Sequence, residues 1–104
     1  MKSYYWSGIC TSDRINALDQ ITIIADRYAT ILNFQRFSDI SLSLILETEE
    51  YRLTDLLSSL KNIMLLDTDD KNWSDSETKC IVLLNITFTK GSGDLKLDVP
   101  NIPG

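Results

Sequence analysis

The chain has 104 residues, 43 % of them hydrophobic, with ten basic and fifteen acidic residues and no histidine. That is the length of one domain, and a chain this size buries roughly 65 % of its unfolded surface, enough to fold without metal or disulfide help. A net charge of −5 without basic clusters repels phosphate backbones, which excludes nucleic acid as a direct partner, and the aromatic, basic strand motifs of sheet-type RNA readers are missing.

Residues 4–10, Tyr-Tyr-Trp-Ser-Gly-Ile-Cys, are rich in strand formers and predict a first strand. Thr11, Ser12 and Asp13 follow with side-chain oxygens suited to the free amides of a helix start. Ile15, Leu18, Ile21, Ala25 and Tyr28, with Ile24 beside them, then recur at steps of three or four. That spacing predicts an amphipathic helix over roughly 13–28.

Residues 30–37 read as a second strand, Ser38-Asp39 as a tight turn, and 40–48 as a third strand. On the third, Leu42, Leu44 and Leu46 share one face and Ser41 and Ser43 take the other, the mark of a half-buried antiparallel hairpin. A second helix is predicted over about 50–62, with Leu53, Leu56, Leu57, Leu60 and Met64 on one stripe. Ile63–Leu66 reads either as a strand or as the end of that helix.

The acidic stretch from Asp67 to Glu77 reads as a solvated, partly disordered loop. Counted as a calcium loop from Asp67, it places Lys71, Asn72 and Thr78 where the EF-hand needs a ligand, glycine and glutamate, so that reading fails. Trp73 within it either anchors a partner or folds back on the sheet edge. A long strand over 79–90 carries Cys80, Val82, Leu84, Ile86 and Phe88 on one face. Its other face carries Ile81 and Leu83, so whichever of the two faces turns away from the helices presents an apolar patch that points to self-association. Gly91–Asp94 reads as a turn, 95–99 as a short final strand, and Pro100 and Pro103 as a loose tail.

The fold class that follows is α+β. The order β-α-β-β-α-β, with one strand more, predicts a ferredoxin-like sandwich: an antiparallel sheet with two helices on one face and a C-terminal hairpin extension. Residues 1–104 form one domain, with the core at 4–90 and the extension at 91–104.

The chemistry-bearing constellations are sparse. Without histidine, nucleophilic catalysis lacks its usual base. Cys10 and Cys80 read as buried thiols, since a disulfide framework needs more cysteines. Gly91 and Gly93 lack the strand-turn-helix context of a phosphate loop. No metal or cofactor is expected. No signal-peptide pattern and no membrane-length apolar run is visible, so the expected location is cytoplasmic.

Residues 4–66 resemble the ACT domain, the small regulatory module of many amino-acid metabolic enzymes. The resemblance rests on Asp13-Arg14-x-x-Ala17-Leu18 opening the first helix after Gly8-Ile9-Cys10. It continues through Leu18–Thr22, Ala29–Asn33, Ser41–Leu44 and the leucine-rich second helix. It implies a homodimer or higher homo-oligomer that binds a small amino acid at a subunit interface. The ligand-binding residues it implies are Thr11, Ser12, Asp13, Arg14, Asn16, Ala17, Leu18, Thr30 and Ile31. Helix N-terminal amides there would attract the carboxylate. Two positions depart from the family pattern: Asn16 stands where glycine is usual, and Thr30 where asparagine often opens the second strand.

Two other function classes stay open at this level. One is a protein–protein interaction module without a metabolite, an assembly partner or small inhibitor using a sheet edge, the 90–99 hairpin or Trp73. The other is an enzyme with Cys10 as an unconventional nucleophile.

Overall fold

The computed structural model describes residues 1–38, 40–68 and 72–89. In chain order the elements are β1 (Lys2–Cys10), α1 (Arg14–Tyr28), β2 (Thr30–Ser38) and β3 (Ser41–Glu49). A 3-10 turn (Glu50–Arg52) then leads to α2 (Leu53–Lys61), β4 (Leu65–Thr68) and β5 (Lys79–Phe88). The predicted turn and strand over 91–99 lie outside the described residues, as does Asp39 of the hairpin turn.

The five strands form one sheet in the order β2-β3-β5-β1-β4. Three neighbouring pairs are antiparallel, but β1 and β5 run parallel, from Lys2 opposite Cys80 to Cys10 opposite Phe88. The expectation of an antiparallel sheet is therefore corrected to a mixed one. The cause is the short segment after α2. Leu65–Thr68 is a strand in its own right and pairs with the free side of β1, so the 79–88 strand enters as a fifth. Its run Cys-Ile-Val-Leu-Leu suits burial between two neighbours better than an edge, and it takes the centre.

One face of this sheet carries the core. Tyr4, Trp6 and Cys10 of β1 join Leu42, Leu44 and Leu46 of β3 and the even-numbered residues Cys80–Phe88 of β5. Ala17, Ile21 and Ala25 of α1 and Leu53, Leu56 and Leu60 of α2 cover them. Each large aliphatic side chain so buried contributes about 1.5–3 kcal/mol. The alanines let α1 lie close to the sheet. Ile15, assigned to the buried stripe by its spacing, is instead 66 % exposed, because the stripe that meets the sheet runs through Ala17, Ile21 and Ala25.

Specific polar bonds fix the helix ends. Asp13 caps α1 by accepting from the Asn16 amide at 3.3 Å. At the far end, the buried Thr48 hydroxyl donates to the Tyr28 carbonyl at 2.6 Å, tying the close of α1 to β3. On β1, Gly8 leaves room for Met64: a Cβ there would lie 2.5 Å from Met64 Sδ.

The segment after β4 is not simply solvated. Over 72–78 it is strapped to the start of α2 by Glu50, a carboxylate only 6 % exposed. The Tyr4 hydroxyl donates to Glu50 Oε2 at 2.9 Å, and the Ser74 and Ser76 hydroxyls donate to Oε1 at 3.2 and 3.0 Å. The Glu50 and Tyr51 amides donate to the Thr78 and Ser76 carbonyls, each at 2.9 Å. Trp73 folds inward, edge-on to Tyr4 at 5.8 Å between ring centroids and tilted against Trp6 at 6.0 Å. Its indole N–H donates to the Thr54 hydroxyl at 3.1 Å.

Candidate functional site

The residues that the resemblance implied for ligand binding fall into two groups. Thr11, Ser12 and Asp13 are exposed in the β1–α1 turn, followed by half-buried Arg14 and exposed Asn16. Thr11 and Ser12 line a shallow cleft with Gln20 of α1 and the Lys61–Leu65 segment. Ala17 belongs to the core and Leu18 packs on its margin.

Thr30 and Ile31 open β2, after α1 has run its full length. Fifteen helical residues rise about 22 Å, so one chain does not bring the two groups together. Thr30 lines a different cleft, of about 250 Å³, among Arg27, Glu47, Glu49, Arg52 and Lys79. Its charges are largely matched: Arg52 pairs with Glu49 at 3.1 Å, and Lys79 approaches Glu47 at 3.9 Å.

Both cysteines are free and fully buried. The Cys10 thiol donates to the Ile63 carbonyl at 3.5 Å. Desolvation, reinforced by the charges of Glu50 and Glu49, pushes the Cys80 thiol up to about 11. Neither thiol has the accessible, electropositive setting of a reactive cysteine. Among the described residues no group of three or more His, Cys, Asp or Glu side chains could hold a metal. No helix there is long and apolar enough to cross a membrane.

A chemically distinctive surface is the sheet face turned away from both helices. Alternation in β1, β3 and β5 sends the odd-numbered residues to this side. The registers then align them in rows across the strands. One row is apolar, Ile45–Leu83–Tyr5, and the next is polar, Ser43–Asn85–Ser7. Within the polar row, the Ser43 hydroxyl donates to the Asn85 side-chain oxygen. A third row runs Ser41–Thr87–Ile9–Leu65, with Ile9 46 % and Leu65 70 % exposed.

Across β3, β5 and β1 these three rows carry no charge, although the chain has a net charge of −5; on β4 the polar row ends in Asp67. The acids and the lysine of this face, Glu47, Glu49, Lys79 and Asp67, stand at its margins. Sequence reasoning left open whether Ile81 and Leu83 or the opposite residues of β5 face outward, and it missed Tyr5 and Ile45. Ile45 was legible, since it breaks the serine alternation of β3 on the outward side.

With this geometry in place, comparison with protein families, curated proteins and solved structures finds no match to the chain.

Proposed function

We propose that this protein is a non-catalytic interaction module that pairs with a second copy of itself through the sheet face turned away from the helices. The observation that carries the reading is the palindromic arrangement of two adjacent rows of that face about β5. Leu83 is flanked by Tyr5 and Ile45, and Asn85 by Ser7 and Ser43. A two-fold axis lying along β5 exchanges the flanking strands. It sets Leu83 against its symmetry mate, Tyr5 against Ile45, and serine against serine around the Asn85 pair. Such self-complementarity is what an isologous dimer interface requires.

Size and charge agree. Five strands about 4.8 Å apart and up to about 30 Å long offer a footprint on the order of 650 Å², near the roughly 800 Å² per partner of a standard interface. The uncharged centre keeps the like charges of two acidic chains from being set directly against each other at the contact. Non-catalytic action is supported by the lack of histidine and by the burial of both thiols.

With β5 set aside, the order is β2-β3-β1-β4, which is the ferredoxin-like arrangement. We therefore read the domain as that frame widened by one central strand. The dimer keeps the self-association that the ACT resemblance implies, and nothing in it depends on an amino-acid ligand.

Sedimentation equilibrium over a concentration series tests the reading. A reversible dimer is expected, converted to a monomer with an unchanged circular dichroism spectrum by Leu83→Lys together with Tyr5→Lys. A wild-type chain that stays monomeric at high micromolar concentration refutes it, and so does a dimer indifferent to both substitutions.

A further inference from the structure

A separate feature stands at the other side of the domain, where the 72–78 strap meets α2. Glu50, Tyr51, Thr54, Trp73, Ser74 and Asp75 line a cleft of about 170 Å³ there. We propose that this cleft binds an alkylammonium group, carried by a free small amine or by the side chain of a lysine on a protein partner.

Glu50 stands at the centre of this cleft's chemistry. Its carboxylate is buried, yet the donors that reach it are neutral: three hydroxyls and the Ser74 backbone amide. The bond from Tyr4 is the largest influence on its acidity, and with the serines it holds the group below the ordinary carboxylate range despite burial. The site therefore keeps a negative charge at neutral pH. Among the described residues no cation lies within ion-pair distance of it. Arg52 is engaged by Glu49 and stacks over Tyr51 at 5.3 Å, and Lys2 sits 5.8 Å from the Tyr4 ring centroid.

Buried charges in proteins are ordinarily paired, and this one faces a cleft. The walls suit the missing countercharge. Trp73 and Tyr51 supply two aromatic rings, which attract cations through their quadrupoles, and Asp75 adds a second negative charge at the exposed mouth. A hydrated inorganic cation gains nothing from the rings, whereas an alkylammonium ion uses both ring and carboxylate.

The test follows the indole N–H resonance of Trp73 by NMR, assigned with Trp73→Phe, during titration with methylammonium chloride and with a blocked lysine peptide. A saturable shift that matched sodium chloride does not reproduce is expected. Tighter binding of the lysine peptide assigns the source to a protein side chain, and tighter binding of methylammonium assigns it to a free amine. Asp75→Asn, an exposed change that leaves the strap intact, should weaken binding about fivefold, the order expected for one screened charge. Glu50→Gln should abolish it; if that variant fails to fold, the Asp75→Asn result decides. No saturable shift, an equal shift with sodium chloride, or unchanged affinity in Asp75→Asn overturns the proposal.

Discussion

Tyr4 and Glu50 meet across 2.9 Å, joining the first strand to the turn that opens the second helix. The bond links positions forty-six residues apart and places a charged acceptor under the strap that carries Trp73.

That bond makes stability depend on acid. The folded-state acidity of Glu50 is shifted below its ordinary value of 4.5. Its contribution is therefore complete above that value and disappears as pH falls through the lower folded one. Urea midpoints followed by tryptophan fluorescence should decline below pH 4.5 in the wild type. In Glu50→Gln the midpoint should be lower at neutral pH and the acid decline shallower, and Tyr4→Phe should lie between. An identical acid slope in Glu50→Gln would contradict this account.

Thr68 offers a test with the opposite sign. It is 7 % exposed, opposite Trp6 in the β1–β4 ladder, and its hydroxyl has no hydrogen-bond partner among the described residues. An unsatisfied buried hydroxyl costs about 1–3 kcal/mol. Thr68→Val keeps the shape and removes the cost, so it should stabilise the fold by about 1 kcal/mol in equilibrium denaturation.

Gly8 should resist enlargement. A Cβ at this position meets Met64 Sδ at 2.5 Å and Leu66 Cδ1 at 3.2 Å. The thioether end of Met64 can move, so Gly8→Ala should cost about 1 kcal/mol and Gly8→Val up to about 3 kcal/mol. Shortening the neighbour relieves the contact: Gly8→Ala with Met64→Val should cost less than the sum of the two single changes. A double-mutant cycle reads that coupling directly.

The helix stripe can be checked by contrast. Ile21 is fully buried and Ile15 is 66 % exposed. Ile15→Lys should change stability by no more than about 0.5 kcal/mol. Ile21→Lys should prevent folding, since it buries a charge without a partner. Thermal melts of the two variants decide it.

Much of the fold could be read from residue order, because its signals are local. The periodicity of Leu42–Leu46 and of Leu53–Leu60 identified β3 and α2, and Asp13 marked the start of α1. What escaped depends on distant pairing. No local pattern distinguishes a parallel from an antiparallel neighbour for Cys80–Phe88, and the four residues of β4 are too few to show alternation. Ile15 misled for a similar reason: spacing defines a stripe, but the small alanines decide how the helix rolls on the sheet.

The candidate surfaces were less legible. Ile81 and Leu83 announced an apolar outer face, but its matched rows exist only once three strands are in register. Glu50 gave no signal at all. It is one acid among fifteen, and its burial arises from Tyr4, Ser74 and Ser76 arriving from opposite parts of the chain.

The central place of β5 has a consequence for how the molecule is made. A ribosome delivers β1 through β4 while the slot between β3 and β1 is still vacant, leaving two half-sheets with no ladder between them. Both flanks of that slot are raw strand edges, prone to capture by other nascent chains. The seam closes only when Lys79–Phe88 emerges and zips beside Lys2–Cys10. Such non-local closure is slow, and both half-sheet edges stay open until it is complete.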